Sequence, residues 1–224
     1  MGDITDQKSL DHIARQSRVI LSTAGPFLKY GLPLVDACVR HECHYTDITG
    51  ETPFVRQLID KYHEDAIEKK LIVMPMCGFD SIPSDLGAYF TSKVLAQEAK
   101  SPALNVRGYF SSNGGPSGGT LTSGQNMMKH PEIKAQFDQP FLLGGHHVGL
   151  GRAEEKDYTQ AQFNKEIGAW TAPFGMAQIN TRVVRRSTLL NTDLYSNTFS
   201  YNEMVSFYVF HHYIYIFIYA QSNI

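Results

Sequence analysis

Short β-forming runs and helical stretches alternate along the first eighty residues of the chain. Val19 opens the first run, and the three predicted strands cover residues 19–21, 45–48 and 71–76. The apolar spacing of the intervening stretches predicts helices over residues 6–15, 33–40 and 54–70. Because the strands begin 26 residues apart with a helix between each pair, the pattern predicts right-handed crossovers and a parallel sheet. A run as apolar as residues 19–21 is typical of a strand that is buried on both faces.

The regular alternation of strands and helices ends after residue 80. A helix is predicted over residues 83–97, with Ser81 as its N-cap and Asp85 in its first turn. Strands are predicted over residues 104–110 and 178–186, and glycine-rich stretches cover residues 111–120 and 144–151. This half of the chain therefore reads as a second, α+β domain that begins near residue 100.

The last predicted segment is apolar and aromatic. Residues 207–220 would span about 21 Å as a helix, short of the roughly 30 Å of a bilayer core. Residues 213–219 alternate aromatic and β-branched side chains, which favours a strand. His211 and His212 argue against deep insertion into hydrocarbon. We expect this tail to attach peripherally to membranes or to drive aggregation; a non-native tail with nothing to pack on is the alternative.

Composition and charge exclude several classes of protein. With 42% hydrophobic and 19% charged residues among 224, the chain is neither disordered, coiled coil nor collagen-like. Its 20 basic and 22 acidic residues leave a net charge of −2, so a nucleic acid is not an expected partner. The three cysteines form no C-x-x-C pair and the first residues lack a signal-peptide pattern, so we expect an intracellular, reducing compartment.

Small residues follow the first predicted strand. In a doubly wound sheet, ligands bind at the carboxyl ends of the strands, where glycine allows a backbone to approach a cofactor closely. We therefore assign a cofactor-facing turn to Ala24, Gly25, Pro26 and Phe27, and an ordinary strand-to-helix turn remains the alternative.

Polar residues follow the second and third strands. Asp47 and Glu51 end the second strand and could hold a ribose or a substrate; N-capping of the next helix by Thr49 or Thr52 explains the same pattern. Asp80 and Ser81, after the third strand, are expected at the same edge of the sheet. His41, Cys43 and His44 lack a partner pair at ligand spacing, so no metal is expected.

Three stretches of the chain resemble one known family. VILSTAGPFLKYGLPLVDACVRHECHYTDITGE, YHEDAIEKKLIVMPMCGFDSIPSDLG and INTRVVRRS occur in order, with spacing similar to that of the saccharopine dehydrogenase-like oxidoreductases, including the trans-acting enoyl reductase type. The resemblance covers most of residues 1–200. It implies an α/β fold: a partial Rossmann-type parallel sheet followed by an inserted α+β domain. It also implies NAD or NADP as cofactor, and an association with membranes, lipid droplets or mitochondria.

The chain departs from that family at its beginning. A G-x-x-G-x-x-G turn, which would grip the pyrophosphate, does not precede Val19. We therefore expect a fragment without the family's first βαβ unit and without its later strands, divided into a partial dinucleotide-binding domain (1–100), a substrate or insert domain (101–206) and the tail (207–224). Such a chain should bind NADPH weakly or not at all.

The resemblance and the pattern together give the site assignments. Asp80 and Ser81 are the candidate catalytic residues, beside the cofactor turn defined above. The candidate substrate residues are Glu51, Gly118, Gly119 and Thr120. The expected function is hydride transfer between NAD(P) and a carbonyl, imine or enoyl group of a small, lipid-like or amino-acid-derived substrate. The alternative is a non-catalytic protein associated with membranes or lipid droplets.

Overall fold

The computed structural model describes residues 2–103, 105–111, 118–144, 156–195, 198–207 and 215–221. The chain divides into two compact units. The first consists of Met1–Phe79 and Pro116–Asp138, and the second of Asp80–Gly115 and Gln139–Ile224. The sequence-based division near residue 100 stays a prediction, and residues 80–100 group here with the second unit.

The first unit is a small parallel sheet with helices. Its elements in chain order are α1 (Gln7–Gln16), β1 (Val19–Ser22), α2 (Phe27–Arg40), β2 (His44–Asp47), α3 (Thr52–Glu68) and β3 (Val73–Met74). The strands pair in the order β1-β2-β3, with Ile20 opposite Tyr45 and Tyr45 opposite Val73, all parallel. The predicted parallel α/β sheet is therefore confirmed.

Local capping explains one helix start and a distant residue explains another. Asp6 caps α1, because its carboxylate accepts a hydrogen bond from the Lys8 amide at 3.0 Å. Helix α2 begins at Phe27, six residues before the predicted start at Pro33. The carboxylate that satisfies its first amides belongs to Glu51, 24 residues later in the chain, so local sequence could not reveal it.

The helices of the first unit pack closely through a glycine. Phe54 is fully buried, and its ring lies 6.0 Å from that of Phe27. A Cβ atom on Gly31 would stand 2.5 Å from Phe54 Cζ, so only glycine allows α2 to approach α3 this closely.

The sheet of the first unit buries one face only. Val19 and Leu21 are 56% and 66% exposed, whereas Tyr45 on the opposite face is buried. The expectation that β1 is buried on both faces is therefore wrong. The third strand is also shorter than predicted, since pairing covers only Val73 and Met74.

Two short helices complete the first unit. They are α5 (Gly118–Met128) and α6 (Pro131–Phe137), which contact each other, and α6 also contacts α3. Within the predicted glycine-rich loop at 111–120, residues 112–117 lie outside the described residues, and the final three form the first turn of α5.

Among its described residues, the second unit contains a mixed five-stranded sheet and two helices. Its elements are α4 (Ile82–Glu98), β4 (Asn105–Ser111), β5 (Gln162–Asn164), β6 (Ala169–Pro173), α7 (Ala177–Leu190), β7 (Ser200–Phe207) and β8 (Tyr215–Gln221). The strand order is β5-β6-β7-β4-β8, in which only β4 and β7 are parallel. Helices α4 and α7 contact each other, and the core between helices and sheet includes Ala88, Val106, Val184 and Tyr201. The fold is therefore mixed α/β, as predicted.

Residues 178–186 form part of helix α7, so the predicted strand there is wrong. Ala177, Asn180, Thr181 and Val184 are buried at helical spacing. Two of these four residues are polar, and a hydrophobic pattern alone therefore concealed the helical period.

Three arginines of α7 hold the preceding segment by its main chain. The guanidinium groups of Arg182, Arg185 and Arg186 donate to the carbonyl oxygens of residues 139, 140 and 143, respectively. Arg182 is fully buried and also pairs with Asp157 at 2.7 Å. The INTRVVRRS stretch thus fixes residues 139–143 to helix α7 within the second unit.

The end of the tail belongs to the sheet of the second unit. Strand β8 pairs antiparallel with β4, with Gly108 opposite Ile218. The interpretation that the tail has nothing to pack on is therefore wrong for the main chain of 215–221; residues 208–214, including His211 and His212, lie outside the described residues. Membrane attachment stays a prediction, and none of the described helices is long and apolar enough to cross a bilayer.

Candidate functional site

The carboxyl ends of β1, β2 and β3 meet at one edge of the first unit. We call this the carboxyl edge and define it by residues 22–27, 47–51 and 76–78. The loops are tied together by main-chain groups, because the Cys77 amide donates to the Asp47 carbonyl at 2.8 Å. Gly25 and Glu51 lie together here, as predicted from the sequence.

Glu51 closes the start of α2. Its Oε1 accepts from the Phe27 amide at 3.2 Å, and its Oε2 accepts from the Leu28 amide at 2.7 Å. The residue is 2% exposed, and its own amide donates to Thr49 Oγ1 at 3.0 Å. A helix N-terminus attracts anions through its free amides. Since a carboxylate of the protein already occupies these two amides, Glu51 acts here as a cap.

Asp47 is fully buried and holds the second strand end to the third. Its Oδ1 accepts from the amides of Thr49 and Met76, at 3.0 and 2.9 Å, and its Oδ2 accepts from the Tyr45 hydroxyl at 2.8 Å. Burial raises the pKa of Asp47, and these donors oppose the increase. Every one of these contacts is internal, so Asp47 shapes the edge and does not reach outward.

The predicted cofactor turn is accessible. Ala24 and Gly25 are exposed, Pro26 is half-buried and Phe27 is buried. The Ala24 amide donates to Ser22 Oγ at 3.4 Å, which closes the turn after β1. Proline supplies no amide hydrogen, and the next two amides bind Glu51. The turn is therefore accessible, but the first amides of α2 are not free to bind a pyrophosphate.

Asp80 and Ser81 lie at the start of α4 in the second unit, and they differ in exposure. Asp80 is exposed, and although much of it meets solvent, neighbouring protein atoms desolvate its carboxyl group and raise its pKa. Ser81 is 2% exposed and occupies the N-cap position without a capping bond from its side chain. Its hydroxyl instead donates to Asn180 Oδ1 at 3.2 Å, which is why the predicted N-cap interaction does not form.

Ser81 is the end of a buried chain of hydrogen bonds. Asn180 Nδ2 donates to Glu203 Oε2 at 3.0 Å, and the Tyr201 hydroxyl donates to Glu203 Oε1 at 2.7 Å. We call Ser81, Asn180, Glu203 and Tyr201 the buried network. All four residues are at most 2% exposed.

Glu203 is the acidic centre of the buried network. Burial raises the pKa of Glu203 to about 7, against the opposing effect of its hydrogen-bond donors and of the nearby Arg185 charge. The Ser84 hydroxyl helps to stabilise the charged form, although its geometry falls short of a regular hydrogen bond. Burial also raises the pKa of Asp85, whose charge adds to the elevated pKa of Tyr201. Two acidic side chains thus share one buried region.

The remaining predicted substrate residues, Gly118, Gly119 and Thr120, form the first turn of α5. Gly118 and Gly119 are exposed, and a Cβ atom on Gly118 would meet no other atom within 4 Å. Within the described part of the chain, no three His, Cys, Asp or Glu side chains are grouped as a metal site. Burial raises the pKa of Cys38 to about 12, which keeps that thiol protonated.

Sequence reasoning missed Asn180, Tyr201 and Glu203. An available signal was the single acidic residue inside a strand-length run, Tyr-Asn-Glu-Met-Val, beginning at Tyr201. A charged side chain is rarely buried in a strand unless polar partners surround it. The partner Asn180 was hidden by the incorrect assignment of its segment as a strand.

Mycobacterial proteins share the sequence of most of this chain. A trans-acting enoyl reductase of Mycobacterium ulcerans is 33% identical over 224 residues, which cover 92% of this chain and 52% of that protein. A trans-acting enoyl reductase of Mycobacterium tuberculosis is 33% identical over 221 residues, with the same coverage. This chain is a homologue of the trans-acting enoyl reductases. The family resemblance inferred from its three motifs is confirmed.

Further comparisons show how much of each protein this homology covers. A second Mycobacterium tuberculosis protein, provisionally named a trans-acting enoyl reductase, is 34% identical over 215 residues. The chain spans about half the length of these curated relatives. No protein-family profile matches it. The apo structure of a saccharopine dehydrogenase (L-glutamate forming) from Saccharomyces cerevisiae superposes with a TM-score of 0.48 at 14% identity, over 91% of this chain and 43% of that one.

Proposed function

We propose that this trans-acting enoyl reductase homologue is part of an oxidoreductase that transfers a hydride between NAD(P) and a carbonyl, imine or enoyl group. The homology to proteins named as reductases carries the proposal. The accessible turn at Ala24 and Gly25, at the carboxyl edge of a parallel sheet, supports a cofactor contact there. A small molecule, lipid-like or derived from an amino acid, is the proposed substrate class.

The turn and the α4 start have separate proposed roles. Ala24, Gly25, Pro26 and Phe27 form the proposed cofactor contact, because the small, exposed side chains of the first two residues leave the backbone accessible. For Asp80, which is exposed, we propose a role near the reacting group, and for its buried neighbour Ser81 a supporting role. When bound, a nicotinamide cofactor supplies the hydride chemistry, and the protein supplies orientation and electrostatics.

Calorimetric titration with NADPH and NADH tests the cofactor assignment. We expect weak or undetectable binding to the 224-residue chain, because no G-x-x-G-x-x-G turn precedes Val19 to hold the pyrophosphate and Glu51 already occupies the first amides of α2. A full-length mycobacterial relative titrated in parallel separates an effect of chain length from a wrong cofactor. Micromolar binding to the short chain would contradict the expected weakness, and absence of binding to both proteins would overturn the cofactor assignment.

A second candidate function is that of a non-catalytic, membrane- or lipid-droplet-associated protein. Helix α4 buries small residues and exposes large ones: Leu86, Phe90 and Val94, one turn apart, are 55%, 67% and 38% exposed. Such a stripe fits an apolar surface. Flotation with anionic vesicles tests this function, with Phe90→Ser as the variant and Glu98→Gln, at the far end of the same helix, as control. Equal flotation of the wild type and both variants would show that the exposed side chains of α4 do not support membrane association.

A further inference from the structure

The hydrogen bonds of the buried network run in one direction. An ionised carboxylate can only accept, so the Asn180 amide must turn its NH₂ group toward Glu203. Its oxygen then faces Ser81, and the Ser81 hydroxyl must donate. The charge state of Glu203 therefore sets the orientation of Asn180, and Asn180 sets that of Ser81.

The network joins two elements of the second unit, α7 and β7, to the segment that carries Asp80. Ser81 precedes α4, Asn180 lies in α7 and Glu203 lies in β7, so 99 residues separate the Ser81 and Asn180 partners. Opposite Glu203 in the sheet is Gly108, where a Cβ atom would come within 3.3 Å of Glu203 Cγ and 3.1 Å of the Tyr201 hydroxyl. Because Gly108 has no side chain, there is room beside it for the Glu203 side chain and the Tyr201 hydroxyl.

Burying these side chains is costly for folding. A desolvated carboxylate is unfavourable unless it is paired, and apolar residues of similar volume often stabilise a fold as well or better. The same core already contains Ala88, Val106 and Val184. The buried network is therefore better explained by a role in holding the Asp80 segment in place than by a contribution to the stability of the fold.

We propose that Glu203 and Asn180 are positioning residues: the Glu203 carboxylate orients the Asn180 amide, which holds Ser81 and with it the Asp80 segment at the start of α4. This inference rests on the proposed function only in giving Asp80 a role in the reaction. The groups that act on Glu203 are Ser84 from α4, Asn180 and Arg185 from α7 and Tyr201 from its own strand, and the charge of Asp85 in α4 acts on Tyr201. When Glu203 is protonated, its carboxyl group can donate as well as accept. The Asn180 amide then no longer has one required orientation, and its hydrogen bond with Ser81 is weakened.

Amide hydrogen exchange of the full 224-residue chain tests the proposal. Peptides covering residues 78–86 are followed from about pH 6 to about pH 8.5, with rates corrected for intrinsic exchange. We expect protection of this segment against local opening, in which Glu203 stays buried, to rise with pH as Glu203 ionises, whereas the same ionisation lowers the free energy of global unfolding. In Glu203→Gln the protection should be the same at every pH and about tenfold lower than that of the wild type at high pH.

Two further variants keep the proposal falsifiable. Tyr201→Phe removes one donor to the carboxylate, so the step should move to higher pH. Val184→Ala, in the same core, should lower protection throughout the second unit while the pH step remains. A flat wild-type profile, or a step that survives Glu203→Gln, would overturn the positioning role. Because no cofactor or substrate is used, this outcome is independent of the hydride-transfer proposal.

Discussion

Replacing Glu51 tests whether one carboxylate holds the carboxyl edge together. It accepts from two main-chain amides, and hydrogen bonds to a charged group contribute about 1.5–3 kcal/mol each. Glu51→Ala removes both acceptors and leaves the amides of Phe27 and Leu28 without them in a largely buried place. We expect the free energy of unfolding to fall by about 3–5 kcal/mol. Glu51→Gln retains one acceptor oxygen and should cost about 1–2 kcal/mol.

Urea unfolding followed by far-ultraviolet circular dichroism measures these changes. Glu64→Ala is the matched control, since Glu64 lies exposed on the helix that Glu51 precedes, and its loss should change stability by less than about 0.5 kcal/mol. The expected order of stability is control, Gln variant, Ala variant. If Glu51→Ala unfolds within about 1 kcal/mol of the control, the two hydrogen bonds do not stabilise α2 and the capping role is refuted.

Three other changes have expected outcomes. Gly31→Ala places a Cβ atom 2.5 Å from Phe54 and should lower stability by about 1–3 kcal/mol, whereas Gly124→Ala, in open space on α5, should be neutral or stabilising in the same urea experiment. Arg182→Met leaves the carboxylate of a buried ion pair unpaired, so differential scanning calorimetry should show a loss of about 3–5 kcal/mol. Burial raises the pKa of Glu203 from 4.5 to about 7, so the folded chain holds a proton that the unfolded chain releases. The resulting stability, on the order of 3 kcal/mol, is present below about pH 4.5 and lost as the pH rises to about 7, and Glu203→Gln should abolish that slope in pH-dependent unfolding.

The sequence by itself determined the regular part of the first unit. Residues such as Val19 and Tyr45 stand in β-forming runs at even spacing, and the helices between them show apolar residues at helical spacing. Both signals are local, so the parallel order of β1, β2 and β3 followed from the pattern and from the handedness of crossover connections. The accessible turn at Gly25 was likewise found because small residues directly follow a strand.

Tertiary structure decided which polar residues act together. Glu51 became a cap for α2, and Ser81 came to donate to Asn180, because folding brings residues 24 and 99 positions apart into hydrogen-bonding distance. No local pattern encodes such pairs. Helix α7 was misread for a related reason, since Asn180 and Thr181 are buried polar residues and hydrophobic periodicity does not register them. Burial of a polar side chain depends on partners from other elements, and only the folded chain supplies those partners.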